Sequence, residues 1–152
     1  MTLTIRTAQA SDREAIVAMR CALWVTDSLE EHEGEFDQWL RGEPCSTLPV
    51  TILIAELDGA PAGFADVGMR SHADGCNPSY QVGYLEGWFV HEPVRRKGVG
   101  RALVEAGKDW ARERGCREFA SDTWSHAQHS IDAHQRLGFE LVDKCVHFRI
   151  DL

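Results

Sequence analysis

What this sequence lacks sets the first limits. It has five cysteines, Cys21, Cys45, Cys76, Cys116 and Cys145, an odd number at irregular spacing and without a Cys-x-x-Cys pair. That pattern excludes zinc ribbons and dithiol redox motifs and points to reduced thiols in a cytosol. There is no apolar stretch of membrane-spanning length. The opening Met1-Thr2-Leu3-Thr4-Ile5-Arg6 has neither the basic start nor the apolar run of a secretory leader. Positive charge is also scarce: 16 Lys and Arg stand against 24 Asp and Glu, a net charge of −8. Such a surface repels phosphate backbones and argues against a nucleic-acid partner. It suits a cationic substrate, although acidic bulk charge also serves solubility alone. Repeats, linkers and low-complexity tracts are absent too. The expectation is one cytoplasmic domain over residues 1–152, with no membrane segment.

What is present is ordinary globular material, 43% apolar and 26% charged. The alternation of Leu3 to Thr7 predicts a strand. Ser11 with Glu14 predicts a capped helix start, and Ala15, Ile16, Met19 and Leu23 supply its apolar stripe. Ser28 with Glu31 predicts a second helix, running through Leu29, Phe36, Trp39 and Leu40 to Gly42 and Pro44. Val50–Leu57 and Ala62–Met69 flank Asp58-Gly59, the signature of an antiparallel hairpin. Tyr80–Val90 reads as a long buried strand. A helix starts at Gly98 and ends at Gly115, carrying Val99, Ala102, Leu103, Ala106 and Trp110 on one face. Then come a short strand at Glu118–Ser121, a helix at His126–Leu137 closed by Gly138, and two last strands within Phe139–Ile150. This order predicts an α/β fold with a mixed, mostly antiparallel sheet and helices on both faces.

The chemistry concentrates between Leu85 and Leu103, where the buried strand runs into Val94-Arg95-Arg96-Lys97-Gly98-Val99-Gly100-Arg101. The amides that open a helix carry partial positive charge and face whatever lies before it. Gly98 and Gly100 remove the Cβ atoms that would keep a phosphate off the main chain. Arg95, Arg96, Lys97 and Arg101 add fixed charge in an otherwise acidic protein. Together they predict a pyrophosphate cradle. The dinucleotide fingerprint fails because Leu103 stands where a third glycine is needed, and a Walker loop fails for want of Gly-Lys-Ser/Thr. His126, His129 and His134 lack the spacing of a zinc-binding helix, so no metal is expected. Cys116 and Cys145 lack a motif that would activate a thiolate, so they read as buried or inert.

Arg95-x-x-Gly98-x-Gly100 matches the Arg/Gln-x-x-Gly-x-Gly/Ala motif of the GNAT acetyltransferases, and the element order resembles theirs over nearly the whole chain. Further pieces resemble the aminoglycoside 6'-N-acetyltransferases in that family. They are Leu23-Trp24, Gly63-Phe64-Ala65-Asp66, Tyr84-Leu85-Glu86-Gly87, Gly115-Cys116-Arg117-Glu118-Phe119-Ala120-Ser121-Asp122 and His134-x-x-Leu137-Gly138-Phe139.

The resemblance implies acetyl-CoA as co-substrate, a strand that splays from its parallel neighbour, and acetyl transfer to an aminoglycoside amine, the 6'-amine, conferring resistance. Backbone groups of Trp88, Phe89 and Val90 would then meet the acetyl end, and Arg95, Arg96, Lys97, Gly98, Val99, Gly100 and Arg101 the phosphates. Trp24, Glu86, Asp122 and Asp143 would face the aminoglycoside, Glu86 would accept the amine's proton through water, and His134 would protonate the leaving thiolate. The bland alternatives are a strand-end carboxylate for Glu86, a helix-capping one for Asp122 and a structural histidine for His134. Two features depart from the relatives: Ser71-His72-Ala73-Asp74-Gly75-Cys76 lacks their tyrosine, and Ala127 replaces an asparagine that contacts coenzyme A. Other functions open at this point are acetylation of a protein N-terminus or small metabolite, or a silent acyl-CoA-binding module. Relatives are often dimers, and Val146, Phe148 and Ile150 would permit a homodimer.

Overall fold

The computed structural model describes residues 1–43 and 45–152. Five strands form one sheet in the order β1-β2-β3-β4-β5. These are β1 (Leu3–Thr7), β2 (Val50–Leu57), β3 (Ala60–Arg70), β4 (Val82–Val90) and β5 (Phe119–Ser121). The first four pair antiparallel, and β5 joins β4 in parallel. The helices are α1 (Arg13–Leu23), α2 (Leu29–Leu40), α3 (Val99–Glu113) and α4 (Gln128–Arg136).

The sheet separates two cores. On one face α1 and α2 bury Ile16, Met19 and Phe36 against Ile52, Ile54 and Phe64. On the other, α3 lays Val99, Leu103 and Val104 over Leu53, Val67 and Leu85. Each fully buried side chain of this size contributes about 1.5–3 kcal/mol. Most of the apolar stripe residues read from the sequence point inward as expected, but Leu29 and Leu40 of α2 are exposed.

Two expectations about elements need correction. The first helix opens differently: a 3-10 turn occupies Ala10–Asp12, and the reciprocal capping pair is Gln9 with Asp12 rather than Ser11 with Glu14. The reason is electrostatic. Arg6 holds the Asp12 carboxylate bidentately at 2.7 and 2.9 Å, which fixes Asp12 at the helix entry. Secondly, the two strands expected within Phe139–Ile150 are absent, and that segment is irregular. Its alternating apolar residues are strand-like, but among the described residues none of them joins a ladder.

The other boundaries follow the sequence closely. Ser28 and Glu31 cap α2 reciprocally at 2.8 and 3.1 Å. Gly42 has φ +70, as a helix-ending glycine should, while Pro44 lies outside the described residues. Gly98 caps α3 with φ +84, a conformation that costs a side-chain-bearing residue of its own.

One irregularity positions everything that follows. In the β3–β4 ladder Asp66 is opposite Gly87 but Val67 is opposite Leu85, so Glu86 is an extra residue on β4. Such a bulge turns a side chain out of the regular ladder. One residue earlier the parallel pairing with β5 ends, at Leu85↔Ser121. From Glu86 to Val90, β4 therefore keeps β3 as its ladder partner while β5 has stopped, and the sheet opens there.

Candidate active site

Glu86, where the opening begins, lines a cleft of about 680 Å³ whose other walls include Trp24, Asp27, Glu35 and Asp66. Arg20 lies at its base, buried, with Nη2 2.9 Å from Asp66 and Nη1 3.3 Å from Glu35. Burial pushes the Asp66 carboxyl up, and the Arg20 guanidinium pulls it back. Arg70 closes one side, with Nε 2.9 Å and Nη2 2.6 Å from the two carboxylate oxygens of Glu86. Its guanidinium also stacks over the Tyr84 ring at 3.5 Å. Hydrogen bonding to Glu86 raises Arg70, and the charge of Asp122 acts in the same direction. Burial, helped by Asp122, pushes the Tyr84 phenol up to about 12, so it stays protonated at neutral pH.

Trp24 forms the aromatic wall at the end of α1. It stacks on buried His32, centroid to centroid 6.1 Å, and meets the edge of Phe64 at the same distance. The neighbouring wall is Gly87, whose missing side chain leaves the indole room. Of the residues expected to face an amine substrate, Trp24 and Glu86 line this cleft together. Asp122 stands just beyond β5, exposed and within electrostatic reach of Tyr84 and Arg70. Asp143 is not brought to them: it is exposed on the irregular C-terminal segment, where its carboxylate accepts the Lys144 amide.

On the opposite side of β4, Trp88 and Val90 pack toward α3. A Cβ on Gly100 would come within 2.7 Å of the Trp88 ring, so that glycine lets the start of α3 sit close to the strand. Gly98 differs, for nothing lies within 4 Å of a Cβ placed there, and its requirement is conformational alone. Arg96 also adopts positive φ, +63, and Arg95 Nε donates to the Val90 carbonyl at 3.0 Å. Arg95 thereby ties the turn to the strand end. Arg96, Lys97 and Arg101 are exposed around the opening of α3. The first amide bonded within this turn of α3 is Ala102 N, to Gly98 O, which leaves earlier amides directed outward. That is a fit for a diphosphate.

His134 occupies the other end of the opening. Its Nδ1 lies 2.7 Å from Ser130 O, and its Nε2 lies 2.9 Å from Ser121 Oγ. A carbonyl only accepts, so Nδ1 carries hydrogen. Ser121 Oγ in turn reaches Leu85 O at 3.0 Å. The ring packs edge-on against Trp88 and Phe139.

Comparisons with known proteins show the family and the fold that carry this cleft. The sequence model described as the acetyltransferase (GNAT) family matches residues 13–139. The chain belongs to the GNAT acetyltransferase family. Within it, the chain is 41% identical to an aminoglycoside N(6')-acetyltransferase type 1 of Klebsiella aerogenes, over 95% of this chain and 94% of that protein. It is 36% identical to one of Stenotrophomonas maltophilia, covering 98% and 94%. Among solved structures, AAC(6')-Iy in complex with a bisubstrate analogue, CoA-S-monomethyl-acetylneamine, superposes with a TM-score of 0.89 at 31% identity, over the whole of both chains. The mixed α/β fold expected from the sequence is the GNAT fold.

Sequence reasoning did not single out Arg20, Asp66, Arg70, Tyr84 or Ser121 for a role. A signal existed for the first two. Arg20 follows Ile16 by one helical turn on an apolar stripe, and Asp66 interrupts an apolar strand. Two opposite charges at positions patterned for burial are expected to meet. Arg70 carried no such signal, because its partner is fixed by the bulge.

Proposed function

We propose that this GNAT protein transfers an acetyl group from acetyl-CoA to the 6'-amine of an aminoglycoside and so confers resistance to it. The observation that carries this reading is the position of the acidic cleft, built on Trp24, Asp66 and Glu86, beside the opening between β4 and β5. Names of relatives at 41% and 36% identity support the same acceptor. A polycation finds carboxylates there for charge-assisted hydrogen bonds and orientation.

In this reading the amides and exposed cations from Arg95 to Arg101 hold the diphosphate, and the backbone of Trp88, Phe89 and Val90 holds the acetyl arm. The neutral amine attacks the thioester carbonyl and the thiolate leaves. Glu86 takes the ammonium proton through a water, while amides near Phe89 and Val90 face the developing oxyanion. The proton for sulfur starts on His134 and passes through Ser121. The single hydroxyl hydrogen serves either Leu85 O or His134 Nε2, so the couple has two hydrogen-bonded states that differ by one proton. Asp122 contributes to the acceptor side. Asp143 joins it only if the C-terminal segment is repositioned.

A homodimer is part of the reading. Val146, Phe148 and Ile150 are 76, 92 and 84% exposed on the strand-like end of the chain, and a second copy would cover them and supply the missing ladder. The setting is the cytoplasm, consistent with five free cysteines. The net charge of −8 disfavours a nucleic-acid partner, and no helix of the described residues is long and apolar enough to cross a bilayer.

The test is an aminoglycoside panel with acetyl-CoA, following thiol release and the mass and acetylation site of the product. Turnover of peptides or small metabolites, with none of aminoglycosides, would replace this assignment by another acetyltransferase activity.

A further inference from the structure

Glu86 is the carboxylate turned into the cleft by the bulge, yet both of its oxygens are already taken by one guanidinium, that of Arg70, at 2.9 and 2.6 Å. We infer that Arg70 is an internal competitor for the acceptor amine: it occupies the ammonium position at Glu86 in the resting enzyme and must withdraw before a substrate can be acetylated. The inference rests on the proposed aminoglycoside acetylation and adds an affinity threshold to that site.

The geometry makes Arg70 a substitute for a bound cation. Its guanidinium meets the same carboxylate, stacks on the Tyr84 face at 3.5 Å and lies in the field of Asp122. These are the interactions an ammonium-bearing sugar would seek at this spot. The side chain is 44% exposed, compared with 7% for Arg20, so Arg70 is free to move where Arg20 is not.

Space for withdrawal exists on the far side. A second cavity of about 310 Å³ lies there, with polar walls from Ser46, Ser71 and His72, and Arg70 lines both it and the cleft. Ser46 and Met69 line both as well, so the arginine is one of three residues that stand between them. Swinging into the second cavity keeps the guanidinium hydrated and leaves Glu86 open to the acceptor and to the water that takes its proton.

Withdrawal costs every acceptor the same free energy, so it raises KM for all of them by one factor and sets a threshold that total affinity must exceed. A substrate with several ammonium groups recovers the cost at Asp27, Glu35 and Asp122. A monoamine has only the Glu86 contact to exchange, one cation for another, and does not bind at ordinary concentrations.

Kinetics of wild type, Arg70→Met and Arg70→Lys with neamine and with 6-amino-6-deoxyglucose test this. Arg70→Met should lower KM for neamine about tenfold, the worth of an exposed charge-assisted pair, with kcat within a few-fold, and should bring turnover of the monoamine into measurable range. Arg70→Lys, which cannot bind both oxygens at once, should fall between. A higher KM together with a lower kcat in Arg70→Met would overturn the inference and make Arg70 a positioning group for Glu86. A second measurement needs no variant enzyme to be active. The Arg70 Nε–H NMR signal, identified by its absence in Arg70→Lys, should shift when neamine binds the wild-type complex with CoA, and an unmoved signal would overturn the inference. Absence of wild-type turnover with any aminoglycoside would instead overturn the proposed function, and this inference with it.

Discussion

Trp24 occupies the space that a side chain at Gly87 would need: a Cβ there would lie 2.6 Å from Cη2 of the indole and overlap Cζ2. The aromatic wall of the cleft and the strand it faces are therefore fitted through a missing methyl group. Gly87→Ala should displace the indole and raise KM for an aminoglycoside at least several-fold. The acetyl-CoA-induced rise in Tm should persist, because the start of α3 is on the other side of the strand. Equal KM values for variant and wild type would separate Trp24 from acceptor binding.

The cradle makes a complementary prediction. Ligand binding to the folded state alone raises Tm, so acetyl-CoA should stabilise the wild type. Gly98→Val should abolish most of that rise through backbone strain, since a Cβ there meets no other atom within 4 Å. A left-handed β-branched residue is a genuine outlier. An unchanged rise would remove the diphosphate assignment from this turn.

If His134 and Ser121 pass one proton in series, removing either breaks the same path. His134→Ala and Ser121→Ala should each lower kcat about a hundredfold, the usual worth of a general acid. The double variant should lose little more. Additive losses would mean that the two side chains act independently, and a few-fold loss would mean that His134 merely packs against Trp88 and Phe139.

Much of this was legible beforehand, and the limits have physical causes. The hairpin at Asp58-Gly59, the Ser28–Glu31 cap and the Gly98 start depend on local backbone preferences, which a sequence displays directly. Glu86 and Trp24 came from motif resemblance and do line one cleft. The Arg70–Glu86 pair was invisible because a bulge, not a spacing, brings together residues 16 positions apart. The terminal strands failed for another reason: Val146, Phe148 and Ile150 have the right period, but a strand needs a partner.

The buried pair Arg20–Asp66 predicts a stability effect. Arg20→Met leaves Asp66 without its counter-ion beneath the cleft and should cost about 3–5 kcal/mol in denaturant unfolding. Combining it with Asp66→Leu should recover most of that loss. Full stability in the single variant would show that water already compensates Asp66.

Acid sensitivity should arise at the other end of the molecule. Hydrogen bonds from Arg6, and from the Gln9 amide, outweigh burial and hold the Asp12 carboxyl below its ordinary value. A lowered folded pKa gives stability that is present above the unfolded value of about 3.9 and lost as pH falls through the folded one. Asp12→Asn should cost about 1 kcal/mol at neutral pH and flatten the loss of Tm below pH 4. An unaltered pH profile would place the acid-labile group elsewhere.

The extra residue in β4 also sets the parity of the strand beyond it. In an uninterrupted strand, side chains that share a face are an even number of positions apart. Leu85 and Trp88 are three apart, yet both pack on the α3 side, whereas Phe89 packs on the α1 side. Deleting Glu86 would therefore leave Leu85 and Trp88 two apart, the spacing of a regular strand, opposite Val67 and Ala65 as they are now. Trp88 and Val90 would stay on the α3 side and Phe89 on the α1 side. A single-codon deletion here would take away the carboxylate together with the kink that aims it, while both core walls stay in place.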